Sequence, residues 1–333
     1  MIAVITVLIL LVVLVNGWTD APNAIAGCVS TRSMSPSSAL VLASVCNFTG
    51  AVGMALISPR VAETLYNIVD LGSDGKGALY AIAAGLAAVI LWATLAWRFG
   101  LPTSESHALI SGITGAAIAE RMSLDAINLK EWALVLTGLF ATTLPPFVLG
   151  YVVNKLLCFI LRGSERRRTM LYFSRAQKLS AAVSALLHGA QDSQKFMGIY
   201  MLALSLGSGG EVFDGNIPIG VVLICASVMT LGTALGGARI IKKVGCDMTD
   251  LDAAGGSASD IASSAVLFIC SLLGIPASTT HSKSCAIMGT GFCKRGGVDL
   301  RIVSQMLAAW GLTFPVCAAL GFIFSLLMSA LFQ

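Results

Sequence analysis

Charged residues are scarce in this sequence of 333 residues, since only 11% are Asp, Glu, Lys or Arg. An ordinary soluble domain has about 25% charged residues, on which its surface depends for hydration. The apolar fraction is 56% and the mean hydropathy is +0.85. Several apolar runs exceed the roughly 18 to 20 residues needed to cross a bilayer. This composition excludes a soluble enzyme and predicts an all-α, multi-pass protein of the cell membrane.

Paired metal-binding motifs are also missing. The nine cysteines form no CxxC pair and no Cys/His cluster, so neither a zinc site nor a disulfide framework is expected. The stretch from Met1 to Val15 has no basic leader and no A-x-A cleavage site, which predicts a first membrane segment rather than a removable signal peptide. The net charge of +4 does not indicate nucleic-acid binding, because Lys and Arg cluster in loops on one side of the membrane.

Apolar runs predict about ten membrane segments, at roughly 2–30, 38–58, 78–98, 102–120, 132–158, 179–206, 217–235, 251–274, 276–293 and 303–331. If the basic loop 161–178 is cytoplasmic, alternate loops place fourteen Lys and Arg inside, Lys294 and Arg295 among them, and four outside. Cytoplasmic loops of membrane proteins carry an excess of Lys and Arg, so this distribution supports the ten crossings. Both termini are then expected outside.

Four short polar islands interrupt the apolar segments, and they form two pairs. The islands 16–23 (NGWTDAPN) and 188–195 (HGAQDSQK) share G-x-x-D, and 102–107 (PTSESH) and 276–281 (PASTTH) share P-x-S-x-[ST]-H. The spacing predicts a duplication into repeats 1–160 and 179–333. Five crossings in each repeat would invert the second relative to the first. Inverted repeats whose helices are broken at matching positions (here the first, fourth, sixth and ninth segments) are typical of secondary transporters with a site near the midplane.

The P-x-S-x-[ST]-H islands have the chemistry of an anion site. Proline is favoured in the first turn of a helix, where backbone N–H groups are free to bind a ligand. Two such helix N-termini meeting near the midplane would offer amides, partial positive charge and hydroxyl donors. A tetrahedral oxyanion suits this set better than a planar carboxylate. The candidate hydroxyls are those of Ser104, Ser106, Ser278, Thr279 and Thr280.

The G-x-x-D islands have the chemistry of a cation site. Asp20 and Asp192, next to the expected unwound backbone, would bind a hard cation such as Na⁺ or take up a proton. Neighbouring side chains could serve either ion: Asn23, Gln194, Thr19 and Gln191. An anion and a cation in one cavity predict symport, because each lowers the electrostatic cost of burying the other. Na⁺ or H⁺ would be the coupling ion, and no other cofactor is expected.

Nearly every other ionisable group at membrane depth also lies in or next to an island, and a charge at the bilayer centre costs about 2.5–3.5 kcal/mol. The histidines are expected to brace the helices rather than bind metal. Asp260 lies outside the islands, and two interpretations stay open: it faces the same cavity, or it pairs with Lys283. The supporting residues are therefore Glu105, His107, His188, Lys195, His281 and Lys283.

The four islands resemble the motifs of the PiT family of inorganic phosphate transporters, which are G-x-N-D-x-x-N, H-G-x-N-D-x-Q-K and, in each half, P-x-S-x-T-H. The resemblance spans the whole chain and implies cation-coupled phosphate symport, with both ions held between the repeats. It implies contacts from Asp20, Asn23, Asp192, Gln194 and the five hydroxyls named above. The sequence departs from the pattern at Thr19 and Gln191, which replace Asn, and at Pro22 and Glu105.

Other functions remain open on the same residues. Sulfate or another tetrahedral oxyanion could use the same scaffold, and a passive anion channel would show flux that ignores cation gradients. An intramembrane hydrolase built on Ser104 and His107, or on Ser278 and His281, is disfavoured because two residues on one helical turn do not form a nucleophile, base and orienting group. Lipid is the only further partner indicated, and a homodimer stays open.

Overall fold

A computed structural model describes residues 1–72, 75–208, 213–293 and 297–332, and this part of the chain folds into helices. The helices are α1 (Ile2–Thr19), α2 (Pro22–Ser30), α3 (Pro36–Ile57), α4 (Arg60–Tyr66), α5 (Gly75–Arg98), α6 (Glu105–Arg121), α7 (Leu129–Ala141), α8 (Leu144–Ile160), α9 (Arg166–Gly207), α10 (Ile219–Ala234), α11 (Ala238–Ile240, continuing as a π-helix over Ile241–Asp247), α12 (Ala253–Leu273), α13 (Thr279–Phe292) and α14 (Leu300–Phe332). The predicted all-α class is confirmed.

Six of the described helical stretches are long and apolar enough to cross a membrane. They are Ile2–Ser30, Pro36–Ile57, Gly75–Arg98, Leu129–Ile160, Ala253–Leu273 and Leu300–Leu331. The chain is therefore a multi-pass membrane protein. Ten crossings and the side of each loop stay predictions, and Lys294 and Arg295 lie outside the described residues. The basic segment 161–178, predicted as a linker, is helical from Arg166 onward.

Three of the four predicted helix interruptions are present. α1 ends at Thr19 and α2 begins at Pro22, whose ring suits a first helical turn. α6 and α13 begin directly after Ser104 and Ser278, whose side chains accept hydrogen bonds from the backbone three residues on. The interruption predicted in the sixth segment is absent, so that prediction was wrong. α9 runs without a break through Asp192. The second island has Gln194 where the first has Pro22, and Gln keeps the backbone N–H that a helix needs.

The helices of the two halves pack against each other in matching pairs. α1 packs on α10 and α9 packs on α3, while α6 packs on α14 and α13 packs on α8. Gly17 of α1 faces the backbone of Gly232, and Gly189 of α9 faces the backbone of Asn47. Small residues at such positions let membrane helices approach closely. The two matched glycines bring both G-x-x-D islands against the opposite half of the chain.

An extended apolar cluster fills the space between α1, α5, α6 and the C-terminal part of α9. Its members include Ile5, Leu86, Leu109, Ile199 and Ala203, and Leu8 packs against it. These five side chains are at most 1% exposed. This set of six residues is called the apolar cluster below.

Candidate functional site

The four polar islands meet at one buried place. Thr279 Oγ1, in the first turn of α13, donates to Asp20 Oδ2 at 3.3 Å and to Asp192 Oδ2 at 3.2 Å. The adjacent Thr280 hydroxyl donates to Asp20 Oδ1. Both aspartates and both threonines are at most 3% exposed. Residues that are 172 residues apart in sequence, Asp20 and Asp192, therefore share one hydroxyl between them.

The N-termini of α6 and α13 are built alike. Ser104 Oγ accepts the backbone N–H of His107 at 3.3 Å, and Ser278 Oγ accepts that of His281 at 3.2 Å. Each serine side chain thus caps its own helix, and its hydroxyl hydrogen stays free to donate elsewhere. The positive ends of two helix dipoles are present at the site, as the sequence predicted, and they favour an anion.

Lys195 holds Asp192 from one turn further along α9. Its Nζ lies 2.6 Å from Asp192 Oδ1, 2.6 Å from Ser106 Oγ and 2.5 Å from the carbonyl oxygen of Ala277. A lysine ammonium has three donors, and all three are used here. The side chain is 1% exposed, so this positive charge is a fixed part of the site. It also ties α9 to the beginnings of both α6 and α13.

Asp20 has no such fixed counter-charge among its hydrogen-bond partners in the described chain. Asn23 Nδ2 donates to its Oδ1 at 2.7 Å, and the remaining partners are the hydroxyls of Thr279 and Thr280. Ligand atoms of Asp20, His188 and Asp192 all lie within 4.8 Å of one another. His188 Nε2 lies 3.3 Å from Asp192 Oδ2. The carboxylate oxygens suit a hard cation, and the imidazole is a poorer ligand for it.

Two residues at which the sequence departs from the PiT motifs, Thr19 and Glu105, contact each other. The hydroxyl of Thr19, at the end of α1, donates to Glu105 Oε1 at the beginning of α6. Glu105 is 1% exposed, and its Oε2 has no hydrogen-bond partner within the described residues. A carboxylate that stands at the start of a helix is stabilised by the dipole. The pair links the helix break at Asp20 to the N-terminus of α6.

The three histidines lie at the edges of the site. The rings of His107 and His281 are 4.7 Å apart, and they pack against Phe314 at 4.6 Å and Trp310 at 3.9 Å respectively. His188 Nδ1 lies 3.3 Å from Asn47 Oδ1 of α3. These aromatic contacts fit the bracing role predicted for His107 and His281, which stays a prediction.

The two glutamines of the second island have different surroundings. Gln191 bonds to the segment before α13, through Nε2 to the oxygen of Ile275 at 3.2 Å and through Oε1 from the N–H of Ala277 at 3.4 Å. Gln191 therefore positions the chain that leads into Ser278 and is not directed at the carboxylates. Gln194 is fully buried, and neither of its side-chain polar atoms has a partner within the described residues.

The sequence did not single out two residues that belong to this site. Asn16 Nδ2 donates to Asp192 Oδ2 at 3.2 Å, across the two halves. Asn47 bonds to His188 and also donates to Thr233 Oγ1 at 3.0 Å. Asn16 begins the first island, and Asn47 is the one amide side chain of α3, which was the available signal. Lys283, by contrast, lies beyond the site, where it pairs with Asp260.

Several buried acceptor atoms here have no partner among the described residues. They are Asn16 Oδ1, Asn23 Oδ1, Glu105 Oε2 and Gln194 Oε1. Buried polar atoms in proteins are almost always hydrogen-bonded, so such a group at one place calls for an explanation. A cation, or an anion with hydrogen-bond donors of its own, would supply the missing partners.

Broken and capped helices that bring carboxylates, hydroxyls and helix N-termini to one buried point define the class of secondary transporters. The family described as "PHO4: Phosphate transporter family" matches residues 16–321. A "Probable low-affinity inorganic phosphate transporter" of Bacillus subtilis (strain 168) is 35% identical over 99% of this chain and 98% of its own length. One from Rhizobium meliloti (strain 1021) is 35% identical over 91% of this chain and 89% of its own length. The chain therefore belongs to the phosphate transporter family.

A solved structure described as "The sodium-dependent phosphate transporter" has the same fold. Its TM-score is 0.84 over 99% of both chains, at 20% sequence identity.

Proposed function

We propose that this membrane protein is a symporter that moves inorganic phosphate together with Na⁺ or H⁺. The observation on which the proposal depends is the shared hydroxyl of Thr279, which joins Asp20 and Asp192 at the N-terminus of α13. Donors for an oxyanion and acceptors for a cation are thereby within one cluster. The two relatives named as phosphate transporters support phosphate as the anion.

Phosphate would bind at the beginnings of α6 and α13. The backbone amides of the first turns, with the hydroxyls of Ser104, Ser106 and Ser278, would donate to its oxygens. Thr279 and Thr280 would join them by turning their hydroxyls from the aspartates to the anion. The ammonium of Lys195, held against Ser106, would add positive charge beside the anion. Gln194 would add a donor through its buried Nε2, which has no partner in the described chain, and the free Oδ1 of Asn23 would accept from a protonated oxygen of the phosphate.

The coupling cation would bind beside Asp20. This carboxylate has amide and hydroxyl partners, whereas Asp192 is already held by Lys195. A sodium ion there would receive oxygens from Asp20, Asp192 and Asn23, with Thr19 nearby. The side chain of Gln191 is engaged instead by Ile275 and Ala277. The fold neighbour described as sodium-dependent favours Na⁺, and a proton on one of these carboxylates is the alternative.

Transport would proceed by alternating access between two inverted repeats, 1–160 and 179–333. The matching helix pairs, α1 with α10 and α9 with α3, are the packing that a two-fold related duplication would produce. With segment 161–178 in the cytoplasm, both termini would lie outside. The chain would work as a transporter and perform no covalent chemistry.

Uptake of labelled phosphate into proteoliposomes tests the proposal. An inward Na⁺ gradient and an inward proton gradient are imposed separately, and excess sulfate is added as a competitor. We expect accumulation driven by one of the gradients and resistant to sulfate. Accumulation that ignores both gradients would indicate a channel, and uptake of sulfate in place of phosphate would assign another substrate to the same scaffold.

Glu105 offers a sharper test of phosphate against sulfate. Phosphate carries protons at neutral pH and can donate a hydrogen bond to a carboxylate, whereas sulfate cannot. Glu105→Gln is therefore expected to lower phosphate uptake and to leave any sulfate competition unchanged or stronger. The matched control is Glu63→Gln on α4, outside the four islands. A phosphate-over-sulfate preference equal to that of the wild type would contradict this role for Glu105.

A further inference from the structure

A second group of polar residues, four of them buried and two half-buried, lies beyond the site at the end of the molecule where α2 ends. Gln177 Oε1 accepts from Thr31 Oγ1 and from Ser33 Oγ, both at 2.7 Å. Ser180 Oγ, on α9, donates to Asp260 Oδ2 at 2.7 Å. The other oxygen of Asp260 accepts from Lys283. These six residues, Thr31, Ser33, Gln177, Ser180, Asp260 and Lys283, are called the polar cluster.

The polar cluster lies further from the site along the same helices. A Cβ on Gly27 would lie 3.5 Å from Gln177 Nε2 and 3.9 Å from Asp260 Oδ1, and Gly27 is one helical turn beyond Asn23. Lys283 lies two residues after His281 on α13. The cluster therefore joins the end of α2 to α9, α12 and α13, and three of these helices, α2, α9 and α13, also present Asn23, Asp192 and Thr280. Movement of these helices apart would have to break its contacts.

Most of the corresponding positions in the other half are apolar; the exception is Ser205, which corresponds to Ser33 and accepts a hydrogen bond from Tyr66. When Asp192 is aligned with Asp20, Gln177 corresponds to Ile5, Ser180 to Leu8 and Thr31 to Ala203. When His281 is aligned with His107, Lys283 corresponds to Leu109. All four of these counterparts belong to the apolar cluster. Between Lys76 and Arg98, α5 also has no charged residue that could match Asp260. Two equivalent ends of one scaffold are thus closed by different chemistry.

The two ends differ in how they respond to water. A buried ion pair is often no more stable than apolar residues of similar size, so Asp260 and Lys283 are a costly way to close a helix interface. When water enters, however, the groups of the polar cluster exchange protein partners for water at a small net cost. An apolar constriction instead excludes water when it closes. The polar end is therefore the easier one to hydrate and open.

We propose that the polar cluster is the gate through which ions leave the site at the end where α2 ends, and that the Asp260–Lys283 pair lets this gate open because both charges can be hydrated when the helices separate. The inference rests on the proposed function. Under the predicted topology this end is the cytoplasmic one, because the loop containing Arg32 lies inside. Lys283 and Asp260 are then positioning residues for the transport cycle, and neither binds phosphate in the central site.

Cys28 is a native reporter for the gate. It lies next to Gly27, is fully buried, and is one of the free cysteines of the described chain. The full-length protein in proteoliposomes is treated with a water-soluble maleimide, and modification of Cys28 is measured by site-resolved mass spectrometry. Phosphate uptake and equilibrium phosphate binding are measured on the same preparations. Opening of the gate should admit the reagent to Cys28 in the wild type during turnover.

The main variant is the double substitution Asp260→Leu with Lys283→Leu, which copies the apolar end and leaves no unpaired charge. We expect uptake and Cys28 labelling to fall about tenfold or more, while phosphate binding stays within about threefold, since gating and not binding is changed. Leu109→Met, at the apolar end, is the matched control and should behave as the wild type. Wild-type uptake and labelling in the double variant would overturn the inference.

Ser180→Ala is a second variant that keeps the test decisive if the double variant does not fold. It removes one hydrogen bond that holds α9 to α12 and leaves the ion pair intact. Labelling of Cys28 should rise about threefold, in line with the loss of one hydrogen bond from the closed state. Unchanged labelling would overturn the inference. Absence of phosphate uptake by the wild type would instead contradict the proposed function itself.

Discussion

The two aspartates of the site have unequal surroundings although their motifs match. Asp192 is bonded to Lys195 at 2.6 Å and to Asn16 at 3.2 Å. Asp20 receives only amide and hydroxyl donors, from Asn23, Thr279 and Thr280. Lys195 occupies the position that corresponds to Asn23 in the first island, so one half has an internal cation where the other has an amide. Asp20 is therefore the carboxylate that gains most from a mobile cation.

Neutralising each aspartate should separate stability from transport. Asp192→Asn leaves the buried Lys195 without its carboxylate, and loss of one partner of a buried pair costs about 3–5 kcal/mol. Its melting temperature in detergent should fall clearly, as measured by tryptophan fluorescence. Asp20→Asn removes no fixed ion pair, so it should melt close to the wild type while cation-driven phosphate uptake is lost.

A double variant supplies the control for this contrast. Asp192→Asn combined with Lys195→Met removes both charges, and it should recover most of the melting temperature lost by Asp192→Asn alone. Equal melting temperatures for the two single variants would contradict the assignment of Lys195 as the fixed counter-charge of Asp192.

At the scale of helices, proline decided what the sequence could predict. The breaks before α2, α6 and α13 each have a proline within three residues, at Pro22, Pro102 and Pro276, and the structure places helix starts there. The unbroken α9 was predicted wrongly because a matched motif was taken to imply a matched backbone. The second island lacks the proline, and a helix with all its backbone N–H groups has no reason to open at Asp192.

The sequence predicted which residues belong to the site better than it predicted which of them contact each other. The islands named most of the polar residues that meet, because buried ionisable groups are rare in membrane segments. Which atoms meet depends on how helices from the two halves pack. The bond from Asn16 to Asp192, and the turning of Gln191 toward Ile275, follow from that packing and have no local signature.

Close helix contacts at glycine provide a prediction about packing. A Cβ on Gly289 of α13 would overlap the backbone oxygen of Phe147 in α8, whereas a Cβ on Gly53 of α3 would meet nothing within 4 Å. Gly289→Ala should therefore lower the free energy of unfolding by about 1–3 kcal/mol, because a well-packed interface must shift. Gly53→Ala is the control and should raise it by about 0.5–1 kcal/mol, from the smaller entropy cost of Ala in a helix.

Thermal unfolding in detergent, followed by tryptophan fluorescence, compares the two glycine variants directly. Because Gly289 lies about two turns from His281, the first-turn contacts of Thr279 and Thr280 are left in place. A Gly289→Ala protein as stable as Gly53→Ala would mean that α8 and α13 do not approach as closely as described.

At the scale of the whole molecule, the site lies between halves that pack through reciprocal helix pairs, with an apolar closure at one end and a polar closure at the other. Rocking of one half against the other would expose the segments before α6 and α13 to each side in turn.

Thr103→Cys and Ala277→Cys place a thiol directly before Ser104 and Ser278. The side from which a water-soluble maleimide modifies each thiol should change when phosphate and the coupling ion are added or removed. The native Cys246, exposed and outside the six membrane-crossing stretches, should react equally in every condition. Identical modification of both engineered thiols from both faces in all conditions would argue for a continuous pore, because only a pore leaves the same residues open to both sides at once.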